Sequence, residues 1–176
     1  MVSLRFAVLL TALGCAGLPA AAAARDVPVS AMAPADEYFG HARLSVLGIA
    51  NTIRDAGTRI HEGADPASMT SGPLSFIPEA IRDWERQYPD DPWIARDLYG
   101  LEIVYLRAQT PEGDRHARET ADWLIRDYPD SEPAEDAQLA VRGAGRTAVA
   151  RGGAGGDAWE RWNALRAPLP PAPQPY

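Results

Sequence analysis

Two short segments, 40 residues apart, share a pattern in which one helix ends in Tyr-Pro-Asp and the next begins with a proline in its first turn. The first runs from Tyr88 to Pro92 (YPDDP) and the second from Tyr128 to Pro133 (YPDSEP). Proline ends the helix before it and suits the first turn of the helix after it. The pattern therefore predicts repeated units of helix, turn and helix, and it constrains the fold more than any other feature of the chain.

Apolar residues at helical spacing predict the elements around this repeat. The stretches that show the spacing are residues 36–56, 78–88, 92–108, 111–128 and 131–148. Gly57 is expected to end the first helix, since glycine is common just after a helix. Residues 58–73 are rich in Gly, Asp, Pro, Ser and Thr, and we expect a loop there. The chain is thus predicted to be all-α.

The second segment carries a resemblance to a known family. Residues 128–131 (YPDS), followed by alanines at helical spacing, resemble the tetratricopeptide-like repeats of bacterial cell-envelope proteins, and residues 98–100 (LYG) are similar to the large and small pair of a first repeat helix. The resemblance covers about residues 77–150 and implies a short right-handed array of antiparallel helix pairs. Such an array needs about three repeats, so we expect the helix at 36–56, or another chain, to complete the core.

The two ends of the chain differ in composition from the middle. Residues 1–24 are predicted to be a signal peptide, with Arg5 before a short apolar core and small alanines at its end. Residues 25–35 form a predicted extended leader, and residues 36–152 the helical domain. Residues 153–176 are predicted to be a flexible tail, rich in glycine and proline, with a short helix. Export through a signal peptide would place the protein in the periplasm.

The single cysteine, Cys15, lies within the predicted signal peptide and leaves two processing routes open. Cleavage at the alanines would remove it and leave a chain without thiols. Lipidation at Cys15 is the less favoured route, because a lipoprotein signal usually has leucine three positions before the cysteine and this chain has Ala12 there.

Charge excludes two classes of partner. The chain has 17 basic and 24 acidic residues, for a net charge of -7. Binding to nucleic acid requires clustered basic residues, and none is visible, so we exclude nucleic acid. A basic stripe for anionic lipid is missing too, and no apolar run after the N-terminus is long enough to span a membrane.

The sequence offers no recognisable catalytic or metal-binding pattern. His41, His61 and His116 are 20 and 55 residues apart, which matches no compact zinc motif. No G-x-S-x-G string occurs, and the glycines of residues 152–156 lack the Lys-Ser/Thr pair of a phosphate-binding loop. We therefore predict a protein without catalysis, cofactor or metal.

These features predict an exported, periplasmic scaffold or adaptor that binds a protein or peptide in a groove between stacked helices. The candidate contact residues are Tyr99, Glu102, Arg107, Arg118, Trp159 and Trp162. For the two tail tryptophans, folding back on the domain and docking to a partner are equally open, whereas Trp84 and Trp123 are predicted to be core. Three alternatives remain: a lipid-anchored outer-membrane assembly-type subunit, a hydrolytic or metal-dependent enzyme with a cleft near residues 58–73, and a self-associating subunit.

Overall fold

The computed structural model describes residues 32–144, 159, 160 and 162, and this part of the chain is mainly α-helical, as predicted. Its elements, in chain order, are β1 (Tyr38–Phe39), β2 (Leu44–Ser45), α1 (Val46–His61), α2 (Pro66–Ser71), a 3₁₀ helix (Pro73–Phe76), α3 (Ile77–Gln87), α4 (Pro92–Ala108), α5 (Pro111–Asp127) and α6 (Glu132–Ala144). Residues 159, 160 and 162 are helical as well. The predicted signal peptide, most of the predicted leader and residues 152–156 lie outside the described residues.

Helix α4 lies at the centre of the fold and contacts α1, α3, α5 and α6. Its sequence is apolar on more than one side, so it is buried along most of its length. Asp91 caps its start by accepting a hydrogen bond from Trp93 N at 3.0 Å, and Pro92 occupies its first turn. The predicted bounds of this helix, 92–108, are confirmed.

Helices α5 and α6 follow after short turns. Thr110 caps α5 through a hydrogen bond from Gly113 N, and Ser131 caps α6 through one from Ala134 N. The connections contain only two and four residues, so α4 and α5 become close neighbours and make the most extensive contact between any two of the described elements. Trp84 and Trp123 are 0% and 4% exposed, which confirms the prediction that both are core residues.

The helix predicted for residues 36–56 is wrong in its first part. Residues 38–39 and 44–45 pair as a short antiparallel hairpin, and α1 begins only at Val46, with the Ser45 hydroxyl as its cap. Contacts with α3 hold the hairpin: Gly40 N donates to Asp83 Oδ2 at 2.8 Å, and the Phe39 ring stacks on Trp84. These long-range contacts select the hairpin.

The loop predicted for residues 58–73 is wrong as well. Helix α1 continues through Gly57 to His61, and α2 occupies Pro66–Ser71. The Asp65 carboxylate accepts hydrogen bonds from Ala67 N and Ser68 N, so the polar composition of this stretch reflects helix capping. The alternative enzyme hypothesis placed its cleft near this predicted loop, and the stretch is instead largely helical.

Asp91 also joins the N-terminal segment to the helical core. Its Oδ2 accepts hydrogen bonds from Ala33 N at 2.8 Å and from Trp84 Nε1 at 3.0 Å, and the residue is fully buried. Burial raises the pKa of Asp91, whereas the three donors lower it. A carboxylate with three donors is a well-satisfied buried group, and here it fixes where the leader meets the domain.

Candidate partner-binding site

Two glycines on neighbouring helices, Gly57 on α1 and Gly100 on α4, each lie directly against a tryptophan ring. A Cβ atom on Gly57 would be 2.5 Å from Trp159 Cη2, and one on Gly100 would be 2.3 Å from Trp162 Cε2. Distances this short are not tolerated between carbon atoms. Both rings therefore occupy space that exists only because the helix has no side chain at that position.

Trp162 is held at this site by a hydrogen bond as well as by packing. Its ring is 1% exposed, and its Nε1 donates to the backbone carbonyl oxygen of Arg96 at 2.9 Å. Burial of an indole normally requires a partner for its N–H group, and this one is satisfied. Trp162 is thus part of the core, although the sequence analysis assigned it to the tail.

Trp159 lies beside Trp162 and is less deeply buried. The two ring centroids are 5.1 Å apart, with the planes tilted by 32°. Arg107, on α4, places its guanidinium over the Trp159 ring, 4.7 Å from the centroid. Burial lowers the pKa of Arg107, although it stays protonated. A cation over an indole face contributes about 0.5–1 kcal/mol at an exposed position.

We define the glycine face as the surface formed by Gly57, Gly100, Val104, Arg107 and the carbonyl group of Arg96. It offers two slots that fit flat rings, an acceptor for one N–H group and a cation for the other ring. Side chains at positions i and i+3 of a helix point to the same side, so the 159–162 spacing presents both rings together. The glycine face is suited to hold a short helix with two aromatic side chains.

The structure gathers three of the six predicted contact residues at this face: Arg107, Trp159 and Trp162. Tyr99 and Glu102 are only 4% and 3% exposed, so a partner cannot reach them unless their neighbours move. Arg118 is exposed on α5. Gly57 and Gly100 were not among the predicted contact residues, because a glycine within a helix gives no sign of which side chain fills the space beside it.

Glu102 lies on the opposite side of α4 from Gly100, since two positions along a helix correspond to a rotation of about 200°. Its Oε2 is buried and has no hydrogen-bond partner in the described part of the chain. Burial raises the pKa of this carboxyl to about 7. A buried carboxylate without donors destabilises the fold when it is charged.

The three histidines have different surroundings in the described part of the chain. His41 contacts Glu79, His61 is exposed at the end of α1, and His116 stacks on Tyr105 with centroids 5.0 Å apart. Among residues 32–144, 159, 160 and 162, no three His, Cys, Asp or Glu side chains are grouped to hold a metal ion. A small open cleft of about 190 Å³ borders α1 and α2, and it is lined by Thr52, Asp55, Ala56, Arg59, Met69 and Pro73.

Comparison with protein-family models, curated proteins and solved structures found no match for this chain. Each helix in the described ranges is too short or too polar to cross a lipid bilayer.

Proposed function

We propose that the protein is an exported, periplasmic adaptor that binds a protein or peptide partner at the glycine face and catalyses no reaction. The observation that carries the proposal is the fit between this face and two tryptophan side chains from a segment distant in sequence. A surface that fits two aromatic side chains has the properties of a recognition site, because buried aromatic residues dominate the energy of protein interfaces.

The helical arrangement supports a tetratricopeptide-like interpretation of the fold. Helices α4 and α5 form one tightly connected pair, and α6 starts the next. Helices α1 and α3, which contact each other and α4, supply a preceding pair. In such arrays, one helix of each pair lines a common binding surface. Helices α1 and α4, which together form the glycine face, fit that role.

Envelope capture with matched baits tests the proposal. The first bait is the chain from residue 25 onward with Trp159→Ala and Trp162→Ala, which leaves the glycine face open. The second bait adds Gly100→Leu, which fills the slot at Gly100. We expect a partner that is retained by the first bait and lost from the second, because the added side chain occupies the space that an aromatic ring requires.

Gly48→Ala on the open bait controls for a glycine substitution on α1 away from the face, since the nearest atom to a Cβ there is the Ser45 hydroxyl at 3.1 Å. This control should retain the partner. Identical sets of retained proteins on the open and filled baits would exclude the glycine face as the partner site.

A further inference from the structure

We infer that the external ligand of the glycine face is a short helix with two aromatic side chains three positions apart, the second a tryptophan, and that the Trp159–Trp162 segment is a tethered competitor for the same site. This inference rests on the proposed function and specifies its partner class. It starts from the contacts that the segment itself makes.

The slot at Gly100, which takes the second aromatic side chain of the pair, selects for tryptophan. The Trp162 ring fills the space at Gly100, and its Nε1 donates to the Arg96 carbonyl oxygen at 2.9 Å. Phenylalanine would fill part of the same slot and make no hydrogen bond there. A buried hydrogen bond of this kind is worth about 1 kcal/mol, so replacing this tryptophan by phenylalanine should weaken binding about fivefold.

The slot at Gly57, which takes the first aromatic side chain of the pair, is less selective. The Trp159 ring lies between Gly57 and the guanidinium of Arg107, and it remains partly exposed. Its contacts among the described residues are with Gly57, Arg107 and the Trp162 ring. Any aromatic ring can present its π face to a cation, with tryptophan the best. We therefore expect tyrosine or phenylalanine to be accepted at the first position with a modest loss of affinity.

The covalent connection makes the segment a competitor that a free ligand can displace. Residues 145–158 join α6 to Trp159, and five of these 14 residues are glycine. A short linker of this kind gives an effective concentration of the order of 1 mM. If the free segment binds the glycine face with a dissociation constant of about 10 µM, occupancy of the face by the tethered copy lowers the apparent affinity of a competing ligand about 100-fold.

The experiment uses a fluorescently labelled peptide of residues 157–166 as the probe, with the chain from residue 25 onward as the receptor. Fluorescence anisotropy should show saturable binding to the Trp159→Ala/Trp162→Ala variant and binding about 100-fold weaker to the unmodified chain. A peptide in which both tryptophans are alanine should not bind either receptor. Adding Gly100→Leu to the variant should abolish binding, whereas Gly48→Ala should leave it unchanged.

A second measurement does not depend on the tryptophan variant being folded. The chain from residue 25 onward contains no cysteine, so Asp122→Cys and Glu160→Cys, both at exposed positions, can carry a pair of spin labels. We expect one narrow distribution of distances between the two spin labels, and this distribution should broaden when millimolar peptide displaces the Trp159–Trp162 segment. The alanine-substituted peptide should leave the distribution narrow.

Two results would overturn the inference: no saturable binding of the peptide to a folded open variant, or a narrow distance distribution that millimolar peptide does not change. Either result leaves the adaptor proposal intact if the envelope baits still differ, because the partner would then have another chemistry. Binding of the peptide without any bait-dependent partner would show that the segment and the glycine face bind each other, and it would contradict both the adaptor proposal and the existence of an external ligand.

Discussion

The two sides of α4 bury very different groups. At Gly100 the helix accepts an apolar ring, and the N–H group of that ring finds an acceptor on Arg96. On the other side Glu102 buries a carboxyl whose Oε2 has no partner among the described residues. Both positions are almost inaccessible to water, yet only the glycine side satisfies the group that it holds. Burial alone therefore does not identify a recognition surface, and the match of shape and hydrogen bonding is the better guide.

The largest expected effect is at the glycine side. Trp162→Ala removes a fully buried ring and its hydrogen bond, so the free energy of unfolding should fall by about 3 kcal/mol. Urea unfolding followed by far-UV circular dichroism measures this change. Trp93→Ala, at a half-buried position on α4, is the control and should cost about 1 kcal/mol. Equal losses of stability for the two variants would show that the Trp162 ring in the Gly100 slot contributes no more than a half-buried tryptophan.

Removing the charge of Glu102 is expected to raise the free energy of unfolding, by less than the loss of Trp162 lowers it. The pKa of its carboxyl in the folded state is about 7, above the ordinary 4.5, so the folded protein binds its proton more tightly than the unfolded chain does. The contribution of this group to stability is therefore fully present below pH 4.5 and is lost as the pH rises to 7. Glu102→Gln removes the charge, and we expect a gain of about 2 kcal/mol at pH 8 and little change at pH 4.

Unfolding of both proteins across pH 4 to 8 checks this prediction. The difference in stability between Glu102→Gln and the unmodified chain should appear between pH 4.5 and 7. Glu135→Gln, on an exposed side chain of α6, serves as the control for removing one carboxylate. A constant difference across the whole pH range would show that Glu102 titrates like a solvated carboxyl.

Gly100→Ala tests whether the slot is as tight as the geometry indicates. The new Cβ would be within 2.5 Å of three atoms of the Trp162 ring, so the ring must leave. Loss of its contacts, worth about 3 kcal/mol, is partly offset by the higher helix propensity of alanine, worth about 1 kcal/mol, so the net loss should be about 2 kcal/mol. A red shift of tryptophan emission would report exposure of the ring. Unchanged emission together with a gain in stability would show that α4 adjusts to accommodate the methyl group.

The smallest effect concerns Arg107. Arg107→Gln removes the cation over the Trp159 ring and should lower the free energy of unfolding by about 0.5 kcal/mol. Arg118→Gln, at an exposed position on α5, is the matched control and should change stability by less. Chemical denaturation in low and high salt separates the two contributions, because a stacked cation is screened less than an exposed charge. A larger loss of stability for Arg118→Gln than for Arg107→Gln would contradict a stabilising contact between Arg107 and the Trp159 ring.

Helices α3, α4 and α5 were predictable because their signals are local. Each has a proline in its first turn and apolar residues at helical spacing, and α4 and α5 also have a capping residue before the proline, so these signals lie within one segment. Asp91, the cap of α4, is one of these local signals. They did not indicate that Asp91 also accepts hydrogen bonds from Ala33 and Trp84, since those donors come from other segments.

Gly57 shows why part of the candidate site was not predictable. Glycine after an apolar helical run normally indicates a helix end, so the sequence favoured a stop at this position. In the fold, α1 continues past Gly57, and the missing side chain makes room for Trp159 instead. The two residues are about 100 positions apart in the chain, and no local pattern connects them.

The sequence by itself determined the helical class, the bounds of α4 and the burial of Trp84 and Trp123, because capping, proline placement and apolar spacing act within a few residues. Only the tertiary structure decided that residues 38–45 form a hairpin, that Gly57 and Gly100 receive tryptophan rings and that Glu102 buries a carboxyl oxygen with no partner among the described residues. Those features depend on which segments meet in space, and the close packing of segments far apart in sequence is not encoded in any short pattern.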